Sequence, residues 1–583
     1  MQNPRRPLGR VLLPATVAAL LLGASLSRAQ SNPAATAAAP APTPAGTFVS
    51  RETVAVTNID VVVEDGKGNR ATGLRREDFI VLEDGLEQPV TNFFAVEQGR
   101  ISVLGDEEIA APSPVPSGVA APAAAAGAPP TPKTRIVIFV DNLSLTPGNR
   151  NRVLRNVEEW VGGAVKDNVE GMIVVWNRSL KIRRKFTNDG RDLSDVLKQI
   201  EDESGQGTTR NSSLRDVLQK IDESKSVDHA ISVGRLYAEE QKNDLRFTLD
   251  TLKSTIDQLA GVDGRKIFVH VSEGLPQSPG AEVFQYIQDK FRDSAPTMMQ
   301  FEYNQTSLYV GLIQAANAAG VSLYMFDATG LTVDPNISAE NRYQTVRLDA
   351  FAQRTNQQSM LQLMAEETGG EAVLNRNDVT PDLKKIEKDF TSYYSLGYRS
   401  LRSGLDRPHK LEVKLKNKKG LTARARRSYV EKGLETKTVE AVMSGLYFPR
   451  DENPMAVALE IGQPAPTESG NFSVPVRIRI PYSRLALLPE GSKVRGRLMF
   501  YFVVMDSLEK KSDLTTQEKT IELDAKTFEG LAKRDYLYDV RMLMIPGRQR
   551  LSVAVRDETT RTTSFVQQNI FVSVFSGEAP LSR

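Results

Sequence analysis

Apolar and polar positions alternate with two different periods along this chain, and the switch between them sets out its organisation. Ile136-Val137-Ile138-Phe139-Val140 is a wholly apolar, β-branched run that ends in Asp141 and continues as Asn142-Leu143-Ser144-Leu145-Thr146. Such a run predicts a strand buried on both faces of a parallel sheet, with Asp141 at the carboxyl edge where open α/β folds place ligands. A helix follows, with Val153, Val157, Trp160 and Ala164 on one face. Further strands are predicted at Met172 to Trp176, Ile267 to Val271, Val321 to Phe326 and Ala372 to Leu374, with an edge-like strand at Leu180 to Phe186. Helical stripes separate them, of which Leu245, Leu249, Leu252, Ile256 and Leu259 is the cleanest. This alternation predicts a doubly wound, mostly parallel α/β sheet, with 276–304 and 328–356 as long loops on its carboxyl side.

Before and after this region the period is two. Val54 to Val63, Phe79 to Leu82 and Val90 to Val96 read as a small β unit whose turns are Glu64 to Asn69 and Glu83-Asp84-Gly85. Neither acidic turn has the ligand spacing of a calcium loop, so both are read as turn chemistry. Strands at 392–399, 410–415 and 421–429 close the α/β domain. Beyond about residue 436, seven short alternating strands between 456 and 574 predict an immunoglobulin-like β-sandwich. The expected division is a signal peptide over 1–29, a flexible spacer over 30–47, the small β unit over 48–98 and an Ala/Pro-rich linker over 105–133. The α/β domain follows over 134–430 and the sandwich over 436–583.

Composition adds compartment and excludes some chemistry. Arg5, Arg6 and Arg10 precede an apolar stretch that ends in Ser27-Arg28-Ala29, the form of a cleaved secretory signal. No later segment is long and apolar enough to span a bilayer, so a periplasmic or secreted protein is expected. The absence of cysteine excludes disulfides and thiolate sites. With 40% hydrophobic and 25% charged residues and a net charge of +2, the chain offers no electrostatic argument for nucleic acid or a membrane surface. The local basic run Arg424-Ala425-Arg426-Arg427 reads as a solvated strand edge.

Several blocks together resemble the von Willebrand factor type A (VWA) domain and, more closely, the VWA-related family of secreted acidobacterial proteins. They are Asn58 to Val63, Thr72-Gly73-Leu74, Glu77-Asp78-Phe79, Glu83-Asp84-Gly85, Phe139 to Leu143, Ala365 to Gly370 and Ser392 to Tyr398. The resemblance implies a VWA/Rossmann-like sheet and a metal-ion-dependent adhesion site, in which Mg²⁺ is held by Asp-x-Ser-x-Ser, a Thr and an Asp. Carried over, Asp141 matches the first Asp, Thr208 the Thr, and Glu273 stands where the family has Asp. The two Ser positions fall on Leu143 and Leu145, which offer no ligand oxygen, and Ser144 is one position off. The adhesion site is therefore expected to be degenerate, with no cofactor. Asp141, Thr208 and Glu273 would carry any residual divalent ion.

No nucleophile elbow, zincin motif, P-loop or dinucleotide fingerprint is present. His229 and His409 lie in polar segments, and His270 lies in a buried-looking strand. Tyr393, Tyr394 and Tyr398 read as strand packing. The expected function is non-catalytic recognition of a protein partner by the carboxyl-edge loops, with Asp141, Asn142, Ser144, Thr208 and Glu273 at the binding surface. The alternatives from other classes are a secreted carbohydrate-active or hydrolytic protein using the sandwich as its binding module, and a structural envelope component.

Overall fold

A computed structural model describes residues 57–102, 133–331, 349–400, 406–531 and 533–573. The expected signal peptide, the spacer and nearly all of the 105–133 linker lie outside the described residues. In chain order the first strands are β1 (Thr57–Asp65), β2 (Phe79–Glu83), β3 (Leu86–Gln88), β4 (Val90–Glu97) and β5 (Arg100–Ser102). The α/β region then runs β6 (Thr134–Asp141), α1 (Pro147–Ala164), β7 (Val169–Trp176), β8 (Leu180–Thr187), α2 (Gly190–Glu201), α3 (Gly207–Glu223) and α4 (Val227–Leu259). It continues with β9 (Arg265–Ser272), α5 (Ala281–Phe291), α6 (Ala295–Met299), α7 (Thr306–Ala319), β10 (Val321–Asp327), α8 (Ala350–Glu367), β11 (Ala372–Val373) and α9 (Thr380–Thr391).

The central sheet has the order β11-β10-β9-β6-β7-β8, parallel throughout except for the antiparallel edge strand β8. This is the doubly wound arrangement expected from the sequence, with the order reversing between β6 and β9. Alternate residues of β6 enter different cores. Val137 and Phe139 pack against α4, α7 and α8, while Ile136, Ile138 and Val140 pack against α1, α2 and α9. That two-sided burial explains the unbroken apolar run. Edge strand β8 carries Arg183, paired with Glu203, and Arg184, paired with Asp192. Charges of this kind discourage pairing with another chain.

The loop expected over 276–304 is largely helical. In α5, Val283, Phe284, Tyr286 and Ile287 pack against Leu218, Ile221 and Tyr237 of α3 and α4. Of the second expected loop, residues 350–356 already belong to α8, and 332–348 lie outside the described residues.

The strands after α9 are β12 (Tyr393–Tyr398), β13 (Pro408–Leu415), β14 (Leu421–Arg424) and β15 (Ser428–Val430). They do not extend the central sheet. Strand β12 lies between β1 and β4, β14 pairs with β1, and β13 pairs with β2. The small β unit is thus completed by strands from the far side of the α/β region. Strand β13 exposes alternate residues, which suits pairing with half-exposed β2 and not a sheet covered by helices on both faces. Ile59, Val61, Phe79, Val81, Leu396, Leu411 and Tyr429 form the core of this unit.

Of the run expected as a solvated edge, Arg427 is exposed, while Arg424 and Arg426 are drawn in by the same packing. Arg424 donates to the Asp389 carboxylate at 2.6 Å, and Arg426 donates to the Asn58 carbonyl at 2.6 Å. Asp389, fully buried on α9, also accepts from the Tyr324 hydroxyl of β10 at 2.6 Å and from Arg70. Burial alone would raise its pKa, but the Arg424 and Arg70 guanidiniums outweigh it and hold the carboxyl below the ordinary range.

Helix α10 (Leu434–Ser444) precedes the C-terminal domain, where the sequence suggested strands alone. One sheet there contains β16 (Ala458–Ile461), β17 (Ala465–Pro466), β18 (Phe472–Pro481) and β22 (Asp535–Met544). The other contains β19 (Leu488–Glu490), β20 (Lys493–Asp506), β21 (Thr515–Asp524), β23 (Gly547–Asp557) and β24 (Thr563–Val572). Val474, Val476, Ile478 and Ile480 face Phe500, Phe502, Leu551 and Val553 across a shared core, so the two antiparallel sheets form a sandwich.

Replacing Asp389 by Ala removes the carboxylate from the Arg424 guanidinium and leaves that of Arg70 with Glu64 alone. We expect a loss of about 3–5 kcal/mol in urea unfolding. A change below about 1 kcal/mol would show that this network does not hold the β unit to the central sheet.

Candidate functional site

The order reversal between β6 and β9 opens a crevice at the carboxyl edge of the sheet, and both strands end there in acidic segments. Asp141 is 1% exposed at the end of β6. Its Oδ1 accepts from the backbone N–H groups of Leu143 at 3.2 Å and Ser144 at 3.4 Å, which curls the following loop. Ser144 Oγ donates to the Asp141 carbonyl at 3.2 Å and accepts from the Glu273 N–H at 3.2 Å, linking the ends of β6 and β9.

Glu273 itself faces the start of α1. Its Oε1 accepts from the Thr146 N–H at 2.7 Å, from the Thr146 hydroxyl and from Asn149 Nδ2 at 3.0 Å. A carboxylate there satisfies free N–H groups and complements the helix dipole. Asn142 is structural too. Its Oδ1 accepts from the buried Arg150 at 2.8 Å, and its Nδ2 donates to the Ser204 carbonyl at 3.1 Å. Arg150 also donates to the Glu201 carbonyl at 2.7 Å, so α1, the β6 loop and the α2–α3 connection are tied together.

That tie brings the start of α3 against the β6 loop. The Gln206 N–H donates to the Asn142 carbonyl and the Gly207 N–H to the Leu145 carbonyl, both at 3.0 Å. A Cβ on Gly207 would stand 2.5 Å from the Ser144 carbonyl oxygen, so the approach requires glycine. One residue later Thr208 is exposed, and it is Thr209 and Arg210 that line the crevice. The opposite wall is α4, through Glu240, Gln241, Asp244, Leu245 and Thr248, and Leu275 and Pro276 close the end. The resulting cleft holds about 70 Å³. Arg178, at its rim, pairs with Asp244 at 3.2 Å.

Of the residues singled out from the sequence, Asp141 and Ser144 line this cleft; Asn142, Thr208 and Glu273 do not. Thr209, Arg210, Gln241 and Asp244 were missed. The stripe read for α4 began at Leu245, which lines the wall, and left out Glu240, Gln241 and Asp244 in the turn before it. Arg210 carries no signal separating it from any other surface arginine.

A divalent ion of the Mg²⁺ type requires several hard oxygen ligands converging on one point. The residues present do not fit that requirement. Leu143 (9% exposed) and Leu145 (0%) point into the two cores on opposite faces of the sheet. Thr208 is on the surface, and the Glu273 oxygen is engaged by α1. Positive charge reaches Asp141 from Arg210. Burial pushes the Asp141 carboxyl up to about 6, opposed by its bonds from Ser144 and Leu143 and by the Arg210 guanidinium.

No histidine, lysine or cysteine is found among the described residues lining the cleft. The Thr248 hydroxyl is committed, accepting from Trp176 Nε1 and donating to the Asp244 carbonyl, both at 3.0 Å. Among the described residues lining the cleft, no hydroxyl is paired with a histidine or lysine base. Among the described residues no helix is long and apolar enough to cross a membrane.

No family model matches the chain, and no curated protein matches it. Among solved structures it is similar to an aerotolerance-related membrane protein from Bacteroides fragilis at 13% identity and a TM-score of 0.24, covering 44% of this chain and 98% of that one. BatB from Bacteroides thetaiotaomicron is similar at 13% identity and a TM-score of 0.22, covering 44% of this chain and 97% of that one. The three N-terminal domains of the type V pili tip protein Mfa5 from Porphyromonas gingivalis match at 8% identity and a TM-score of 0.24, covering 73% and 75%. At such scores these likenesses carry no argument, and the fold assignment rests on strand order and direction.

Asp141 gives the site a pH signature. Between pH 3.8 and about 6 the folded protein keeps a proton that the unfolded chain has released. Stability therefore falls as pH rises through that window, by on the order of 3 kcal/mol. Asp141→Asn keeps the acceptor for Leu143 and Ser144 and removes the buried charge. It should raise the melting temperature more at about pH 7 than at about pH 4. Equal effects at both pH values would show that Asp141 titrates normally.

Proposed function

We propose that this chain is an exported, non-catalytic binding protein of the adhesion type, periplasmic or secreted, which takes a protein partner at the cleft between β6 and β9. In this reading it is a VWA-related protein of the acidobacterial secreted family with a degenerate adhesion site that works without a bound metal. The observation that carries the reading is the position and lining of the cleft. It lies at the switch point of a doubly wound sheet, where ligands of such folds bind. Its walls are helices α3 and α4, so the polar groups are held on rigid elements. Arg178, Arg210, Gln206 and Gln241 supply donors, and Asp141, Glu240 and Asp244 supply acceptors. Mixed polar groups around an apolar floor of Leu245 and Leu275 suit a partner's side chain entering from above.

A photo-crosslinking residue at Thr209, tested against the native envelope and secretome, should capture a discrete protein. Arg210→Glu should reduce that capture about tenfold, equivalent to about 1.4 kcal/mol. Chelator should leave it unchanged. Absence of capture at Thr209, with strong capture from the exposed Leu537 or Leu543 of the sandwich, would move the binding surface there. Capture abolished by chelator would overturn the metal-free part of the reading.

A further inference from the structure

The turn after β2 holds a second constellation, far from the cleft and unused by it. In the β2–β13 ladder Glu83 is opposite Leu411, and in the β13–β15 ladder His409 is opposite Tyr429. Residues 409 and 411 of one strand share a face, so Glu83, His409 and Tyr429 all point to the same side. Asp84 follows in the turn with a positive φ of 50°. His409 Nδ1 stands 2.9 Å from Asp84 Oδ2 and 3.3 Å from Glu83 Oε1. All three ligand atoms lie within 4.8 Å of one another.

Burial makes this arrangement more than a surface pairing. Glu83 is 5% exposed and His409 is 3% exposed. Glu83 Oε1 accepts from the Ser400 hydroxyl at 3.0 Å and the Tyr429 hydroxyl at 2.9 Å, which fixes its orientation. Asp84 Oδ1 accepts from the Lys410 N–H at 2.9 Å, and Oδ2 stands against the imidazole. Two independent features lack an explanation within the protein. His409 Nε2 is buried with no hydrogen-bond partner, and so are both carboxylate oxygens of Glu431, the residue that follows β15.

We propose that Glu83, Asp84 and His409 bind a divalent transition ion of the zinc class. Tetrahedral ligands about 2.0–2.1 Å from such an ion are about 3.3 Å apart, close to the separations found here. One imidazole and two carboxylates with an open fourth position is a zinc-type donor set; an Mg²⁺ or Ca²⁺ site would use oxygen alone. The Ser400 and Tyr429 hydroxyls serve as the outer hydrogen bonds that orient a ligating carboxylate. A histidine bound through Nδ1 carries its proton on Nε2, the ring atom that is buried here without a partner. The ion would clamp the β2–β3 turn onto β13, fastening the N-terminal strands to the segment that returns after the α/β domain.

The full chain, purified without a histidine tag and stripped with chelator, should be titrated calorimetrically with Zn²⁺ and with Ca²⁺. One saturable Zn²⁺ site is expected, with a raised melting temperature and no comparable Ca²⁺ response. Asp84→Asn keeps the bond from Lys410 and should weaken Zn²⁺ binding at least tenfold, as should His409→Gln. Should His409→Gln fail to fold, by circular dichroism, Asp84→Asn alone decides. No saturable Zn²⁺ binding would overturn the site, as would binding that Asp84→Asn leaves unchanged.

Discussion

The buried carboxylate of Asp389 is the point on which the arrangement of the N-terminal half depends. It sits on α9, accepts from Tyr324 of the central sheet, and is shared by Arg70 after β1 and Arg424 of β14. Tyr324 comes from the central sheet and Arg70 and Arg424 from the β unit, so the carboxylate can be satisfied in one relative placement of the β unit and the α/β region. Arg265 of β9 adds to this placement, with its guanidinium 4.3 Å from the Tyr393 ring centroid and 3.7 Å from Asp60. Interior ions with several partners act more through geometry than through net stability. Here the geometry they fix is the course of the chain, out of the β unit, through the α/β fold and back.

A comparable role at the other end falls to α10, through apolar packing. Ala441 and Val442 enter the same core as Leu252 and Ile256 of α4 and as Tyr501 and Val503 of β20. Strand β20 is thereby buried on both faces along its second half, although it belongs to a two-layer sandwich. The Tyr501 hydroxyl donates to Glu435 at 2.6 Å, and Arg556 pairs with the same carboxylate at 2.9 Å. The sandwich is therefore packed on the α/β core, and the helix between them is part of both interiors.

These two contacts also explain what the sequence could and could not disclose. Strands β6, β7, β9 and β10 were legible because two-sided burial writes itself as an unbroken apolar run. The sandwich strands were legible because a single buried face writes itself as alternation. Helix α5 was not, since Pro279-Gly280 before it and Asp293 to Pro296 after it carry loop chemistry that outweighed its short apolar stripe. The pairing of β13 with β2 depends on residues more than three hundred positions apart, and no local pattern specifies a register across that distance. His409 reads as polar among Arg407, Pro408 and Lys410, and only the pairing with β15 shows that its face is the inner one. The same holds at the cleft, where Asp141 was visible at the end of its strand but Arg210 and Asp244 come from helix positions with no distinguishing neighbours.

The cleft then poses an electrostatic question whose answer follows from the loop. A carboxylate buried at the carboxyl edge of a sheet requires positive charge or a proton, because desolvation disfavours its ionised form. The VWA resemblance implies that the charge is borrowed from solution as a divalent ion, held by hydroxyls two and four residues beyond the Asp. In this chain those positions are Leu143 and Leu145, which anchor the loop in the two cores and leave no oxygen to hold an ion. Two other devices share the task here: a proton, since the Asp141 carboxyl is pushed up to about 6, and the guanidinium of Arg210, which pulls it back down. Both belong to the polypeptide and its solvent, so under the metal-free reading proposed above the charge state of this cleft responds to pH where a metal site would respond to ion supply. Packing that secures the loop and chemistry that would hold a cation compete for the same two positions, and in this sequence packing has taken both.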